Sequence, residues 1–276
     1  MSDYNPRANL SSADFADTGL WRLIIYISLK GMSAYLKHTS DKSRPMAKML
    51  SESWHSSDPE SLLKNIENAV YDHPVLLDDF ATEIILETPH TTFVPNEIID
   101  EEDDAEFSVY TALFPGGDPE IIADRLPDYT ALFSLTRGLD GFIARTMPGS
   151  RIRSHLAVIA ERMRRQSAPG PRVYLDIRNG EVDILLFRDS TLLSASVQKW
   201  RTPEDIAYRI LNLLNAYGIS PKDASIFLSG PVETRNLLSE ILRNFTPEIS
   251  RMILPFNPGE ETDMPLAALL QAFREG

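Results

Sequence analysis

Apolar positions along the chain fall into short blocks whose period alternates between two and about 3.6 residues. Leu23-Ile24-Ile25-Tyr26-Ile27-Ser28 is an apolar run of strand length that turns at Lys30-Gly31 and returns over 32–37. Arg172-Val173-Tyr174-Leu175-Asp176 repeats the pattern, turning at Asn179-Gly180 and returning over 181–187. Asn-Gly between alternating apolar residues predicts a hairpin, because both residues tolerate positive φ. A third strand follows each hairpin and ends at a tryptophan, Trp54 or Trp200. Asp58-Pro59-Glu60 and Thr202-Pro203-Glu204 then each set a capping residue before a proline at the first helical position, with acids in the first turn. Leu62, Ile66, Ala69 and Val70 match Ile206, Ile210, Leu213 and Leu214 at one constant offset, a helical stripe in both places. The helices are expected to stop at His73-Pro74 and at Tyr217-Gly218. A buried strand closes each series, Ile84-Ile85-Leu86-Glu87-Thr88-Pro89 and Ile226-Phe227-Leu228-Ser229-Gly230-Pro231.

The same landmarks in the same order, two tryptophans and two pairs of prolines among them, point to an internal duplication. After the matched core the first half continues with a strand over 129–135, a helix over 138–147, a strand over 151–155 and a helix over 156–165. The second half continues with a helix over 232–245, a strand over 249–254 and a closing helix over 266–273. Residues 90–127 have no counterpart in the second half and read as an insertion. They carry Phe93-Val94-Pro95, a run of acids over 97–106 and a strand candidate over 107–114. Ser167-Ala168-Pro169-Gly170-Pro171 is the clearest linker. The layout expected is a polar segment over 1–19, a first domain over 20–166, a linker over 167–171 and a second domain over 172–276.

Composition narrows the partners. The 276 residues suffice for two domains of ordinary size, and 43% apolar residues can fill their cores. Lys and Arg number 27 against 40 Asp and Glu, a net charge of −13 that repels phosphate backbones and anionic lipid. Nucleic acid and membrane surfaces are therefore disfavoured as partners of this acidic protein. The chain has no cysteine, which fits a reducing compartment. Its first 19 residues lack the apolar core of a signal peptide, and no apolar run approaches the ~20 residues of a membrane span. A cytoplasmic location is expected.

Three antiparallel-linked strands, a crossover helix, a strand and further α/β units, occurring twice, resemble the actin-like ATPase fold. The resemblance implies an α/β protein of two ribonuclease H-like domains related by internal duplication, each a mixed five-stranded sheet flanked by helices. Phe93-Val94-Pro95 followed by acids, then strand, helix and linker, is also similar to a bacterial family of unknown function assigned this fold. In active members of the superfamily the first hairpin of each half carries an Asp, then glycines and a hydroxyl residue. Their amides and hydroxyl hold phosphate, and the two carboxylates organise Mg²⁺ and water.

This chain departs from that pattern. Ser28 stands at the first Asp position, and one glycine, Gly31, remains in Ile27-Ser28-Leu29-Lys30-Gly31-Met32-Ser33. A serine is not the anionic ligand that a hard cation wants. The second hairpin keeps Asp176 but sets Arg178 and Glu181 where small residues would let backbone approach phosphate. Leu228-Ser229-Gly230-Pro231 is similar to the adenosine-binding turn but lacks its second glycine. The resemblance thus implies a scaffold without hydrolysis or assigned catalytic residues, acting on an unknown protein partner or as a homo-oligomer. Its alternative is ATP binding between the halves, with or without Mg²⁺, by Ser28, Lys30, Gly31, Asp176, Asn179, Gly180, Ser229 and Gly230.

Other chemistry finds no support. Ribonuclease H-like nucleases need acids on several strands. After Asp176 the next strand offers Ser229, so no metal site is assigned and Asp176 reads as a turn-stabilising residue. His38, His55, His73, His90 and His155 lack metal-ligand spacing, and no serine sits in a nucleophile elbow. Arg145, Arg151, Arg153, Arg162, Arg164 and Arg165 form one basic concentration, read as solvated charge and helix C-terminal residues.

Overall fold

The computed structural model describes residues 17–40, 46–54, 59–99, 110–114, 120–166, 168–252 and 264–273. Strands β1 (Trp21–Ser28), β2 (Gly31–His38) and β3 (Ala47–Ser53) form an antiparallel meander. Helix α1 (Pro59–Asp72) crosses to β4 (Ala81–Leu86), which lies parallel to β1. Beyond β4 come β5 (Thr91–Pro95), β6 (Ile122–Arg125), β7 (Tyr129–Phe133), α2 (Leu139–Thr146), β8 (Arg151–Ser154) and α3 (His155–Arg165). The second half holds β9 (Pro171–Ile177), β10 (Glu181–Arg188), β11 (Thr191–Lys199), α4 (Pro203–Ala216), β12 (Ser225–Ser229), α5 (Val232–Leu242), β13 (Ile249–Arg251) and α6 (Leu266–Ala272).

The two large sheets repeat one strand order, β3-β2-β1-β4-β8 and β11-β10-β9-β12-β13. Each is mixed, five-stranded and flanked by helices, as the resemblance implies. Both faces are covered, which is why their central strands are near-continuous apolar runs. Strand period sorts the residues. Leu23, Ile25 and Ile27 of β1 face α1 and α2, while Ile24 and Tyr26 face the opposite side. Val173, Leu175 and Ile177 of β9 pack with α4 and α5, while Tyr174 faces the other way. The two inward faces meet α3 and α6 in one shared core. The C-terminal helix α6 packs on α3 and β1, so it returns to the first half.

Two expectations need correction, and one strand joins a sheet that its sequence left open. The strand expected over 129–135 spans 129–133. β7 is the centre of a separate three-stranded sheet, β5-β7-β6, built with the insertion. An apolar strand buried along its whole length carries no mark of which sheet it joins. Within 107–114, residues 110–113 form a turn of 3-10 helix, and 107–109 lie outside the described residues. The first hairpin turns at Leu29-Lys30, with Gly31 already the first residue of β2 and paired with Ser28 and Ser53. Asp58, His55, most of the acid run and residues 253 and 254 of the last predicted strand also lie outside the described residues.

Helix ends follow the sequence signals where they are described. The Asp205 carboxylate accepts hydrogen bonds from the amides of Arg201 and Thr202 at 2.9 and 3.0 Å, which holds its pKa below the usual carboxylate value. Gly218, with φ +63°, ends α4. No described helix is long and apolar enough to cross a membrane.

Candidate functional site

The two hairpins meet between the halves. Lys30 Nζ donates to the Asn179 carbonyl at 3.2 Å, which joins the first loop to the second at the rim. Both loops are pinned from behind in the same way. The Trp54 amide donates to the Lys30 carbonyl at 2.9 Å and its indole Nε1 to the Ser28 carbonyl at 3.2 Å. The Trp200 amide donates to the Gly180 carbonyl at 3.1 Å, and its Nε1 to the carbonyls of Arg178 and Glu181 at 3.1 and 3.0 Å. The two tryptophans that mark the repeat in the sequence therefore fix the loops that face each other.

Beneath the rim, strand parity aims a set of polar side chains into the shared layer. Asp176 lies two positions beyond Tyr174 on β9, and Asp183 two before Leu185 on β10, so both take the inward face. They are direct cross-strand partners, and Asp183 is fully buried. Ser229, two beyond Phe227, pairs with Asp176 across β9 and β12 and hydrogen-bonds its carboxylate. From the first half come Tyr26 on β1, Glu87 just after β4 and His155 at the start of α3. Tyr26 donates its hydroxyl to Glu87 Oε2.

Arg178, from the second hairpin loop, occupies the centre. Its Nη1 is 2.8 Å from Glu87 Oε2 in the opposite half, and its Nη2 is 2.5 Å from Asp183 Oδ1. His155 lies with Nε2 3.4 Å from Asp183 Oδ1 and Nδ1 3.3 Å from the Leu86 carbonyl. An imidazole donating at both nitrogens would serve both acceptors.

The electrostatics follow from burial and adjacency. Burial first, then the neighbouring Asp183 charge, push Asp176 up to about 7, against the opposing pull of Arg178. The carboxylates of Asp183 and Glu87 raise Arg178 despite its own desolvation, keeping it charged. Burial, with Glu87 beside it, raises Tyr26 well above the ordinary phenol. Two carboxyls sharing one face favour keeping a proton between them.

The predicted site residues separate into three groups. Ser28, Lys30, Asn179 and Gly180 lie at the touching loops. Ser28 Oγ is committed to its own turn, donating to the Gly31 carbonyl at 3.2 Å and accepting from the Lys30 amide at 3.1 Å. Asp176 and Ser229 belong to the buried cluster. Gly31 and Gly230 are set by backbone approach: a Cβ on either would lie 2.2 Å from a carbonyl oxygen, that of Glu52 or Ile177. Arg178 was visible in the sequence as a residue out of place in a phosphate loop. Asp183 stood out as a second acid on the hairpin beside Asp176, while Glu87, Tyr26 and His155 carried no such mark.

Four of the six arginines of the basic concentration pair within the molecule. Arg153, 1% exposed, pairs with Asp124 of β6 at 2.8 Å and Glu161 of α3 at 2.9 Å, and donates to Gln271 of α6 at 3.1 Å. Arg151 pairs with Asp124, Arg164 with Asp128 and Arg165 with Glu161. Among the described residues no cluster of three or more His, Asp or Glu could hold a metal ion. Away from the cluster, a groove of about 550 Å³ runs between β5 and the start of β11, lined by Phe93, Tyr129, Leu192, Ala195 and neighbouring Thr and Ser residues.

Two sheets of one strand order with facing hairpins define a protein of the actin-like ATPase fold. A Bacteroides thetaiotaomicron protein with an actin-like ATPase fold and unknown function superposes with a TM-score of 0.76 at 20% identity, over 94% of this chain and 98% of its own. The chain belongs to the family described as "Protein of unknown function (DUF3822)", which matches residues 11–249. More distant structures include the PilM–PilN type IV pilus biogenesis complex (TM-score 0.48, 11% identity, 84% of this chain and 88% of that one). Another is the cytoplasmic domain of EpsL from the Vibrio cholerae type II secretion system (0.43, 11%, 91% and 94%). No curated protein matches the sequence.

Proposed function

We propose that this protein is a non-hydrolysing scaffold of the actin-like fold that works by binding protein, either a partner or another copy of itself. The observation that carries this reading is Arg178. Its guanidinium sits where the two hairpins meet, already paired with a carboxylate from each half. A nucleotide phosphate entering there would have to displace those pairs and the Lys30–Asn179 contact. It would also meet Asp183 and Glu87, two acids already paired with Arg178. Gly31 and Gly230 are each closely approached, on the side a Cβ would take, by the backbone of Glu52 or Ile177.

Surface that a partner could use lies elsewhere. β5 and β11 are both edge strands of their sheets, and the groove between them is walled by their apolar side chains. An extended segment of a partner protein fits such a site, because sheet edges offer backbone groups and alternate side-chain pockets together. The common strand order of the two large sheets fits an origin by duplication.

The test is thermal denaturation with millimolar ATP or GTP and Mg²⁺, alongside phosphate release. Neither stabilisation nor turnover is expected. A site with a Kd one hundredth of the nucleotide concentration would add about 2.7 kcal/mol, an unmistakable shift. Such a shift would replace this reading with nucleotide binding between the halves. Mg²⁺-dependent hydrolysis abolished by Asp176→Ala would overturn the non-catalytic assignment altogether.

A further inference from the structure

Arg178 explains how the halves are joined, but not why two aspartates are buried side by side next to it. Asp176 and Asp183 are cross-strand partners on one face, and like charges directly opposite each other repel. Two of the three nitrogens of Arg178 already face other carboxylates, Glu87 and Asp183. Asp176 is a third carboxyl drawn to the same guanidinium, and the Ser229 hydroxyl hydrogen-bonds it.

Every element around it contributes to this balance. β10 brings Asp183, the loop after β9 brings Arg178, and β12 brings Ser229. The opposite half brings Glu87 after β4, Tyr26 on β1 and His155 on α3. Asp183, Arg178 and Ser229 share the half of Asp176, so what depends on the halves staying together is its burial and its proximity to Glu87.

We propose that the Arg178 cluster is a proton-balanced latch between the two halves, closed while Asp176 carries a proton and loosened when that carboxyl ionises beside Asp183 and Glu87. The latch is independent of what the protein binds, and of whether the groove is its docking site.

The direction follows from linkage. Closed, Asp176 titrates at about 7; opened to water and separated from Glu87, it would fall toward the ordinary carboxylate value near 4, with Asp183 of its own sheet still beside it. The closed form therefore binds a proton that the open form lacks across that interval. The opening constant rises up to tenfold per pH unit between about 4 and 7 and levels off above 7. Closure is most secure in acid and weakest in mild alkali.

The experiment uses the absence of cysteine in the sequence. Lys64→Cys on α1 and Tyr208→Cys on α4 place labels on the outer layers of the two halves, at exposed positions. Energy transfer between them is followed from pH 5 to 8.5 in the full chain. Transfer should fall as pH rises toward 7 and then level. Asp176→Asn, which keeps the shape without the ionisation, should stay closed and lose the pH dependence. Arg178→Met should be open at every pH. A distance that does not change with pH in the labelled parent overturns the proposal, and this arm needs no further variant to fold. An unchanged pH profile in Asp176→Asn also overturns it, because the titrating group would then be another one.

Discussion

A glycine in this sequence can mean two physically different things, and the structure separates them. Gly180 has φ +79° and open space where a Cβ would be, so it serves the turn. Gly31 has an ordinary strand conformation, yet a Cβ there would lie 2.2 Å from the Glu52 carbonyl oxygen. Gly31→Ala should therefore force β3 away and cost about 1–3 kcal/mol. Gly180→Ala should cost only the left-handed conformation, about 1–2 kcal/mol. Urea denaturation measures both, and a loss of amide protection along β2–β3 in Gly31→Ala alone distinguishes the mechanisms. Asn179-Gly180 was legible as a turn because the dipeptide states its own conformation. Gly31 was misplaced by one position because its reason for being glycine lies on a strand some twenty residues later.

At the level of elements, the sequence announced the tryptophans by position but not by task. Each sits at the end of a meander and donates its indole hydrogen to the carbonyls of the loop in front of it. Trp54→Phe and Trp200→Phe keep most of the ring and remove that donor. Each should lose roughly 1 kcal/mol of stability; in Trp200→Phe the Arg178 carbonyl loses this donor, while the Glu181 carbonyl keeps the Arg178 amide at 2.8 Å. Thermal denaturation of the two variants, compared with the parent, measures both losses. Helix starts and stops were readable because caps, prolines and glycines act within a few residues. The sheet to which β7 belongs was not, since five buried residues satisfy any apolar neighbour equally well.

Across the whole molecule, Arg153 has the widest reach. It joins β8 to Asp124 of the small sheet, Glu161 of α3 and Gln271 of the C-terminal helix, from a position almost wholly out of solvent. Arg153→Met should leave Asp124 with Arg151 alone and cost roughly 3–5 kcal/mol, the range for breaking a buried ion pair by removing one partner. Hydrogen exchange should show α6 and β6 loosening together. If only global stability fell and α6 kept its relative protection, the tie between the small sheet and the C-terminal helix would not be Arg153. The sequence showed this arginine as one of a basic group, with nothing to separate it from its solvated neighbours.

Periodicity and turn residues by themselves determined the strand–hairpin–strand–helix–strand order and its occurrence twice. Those properties are local: they follow from the period of apolar residues and from residues whose conformations restrict the chain within a turn. Tertiary structure alone decided what filled the space between the loops. Arg178, Glu87, Asp183, Tyr26 and His155 come from separated segments, and nothing in their spacing encodes their meeting. Their charges acquire meaning only in the layer between the sheets, where burial leaves Arg178 paired to both halves and raises Asp176 to about 7.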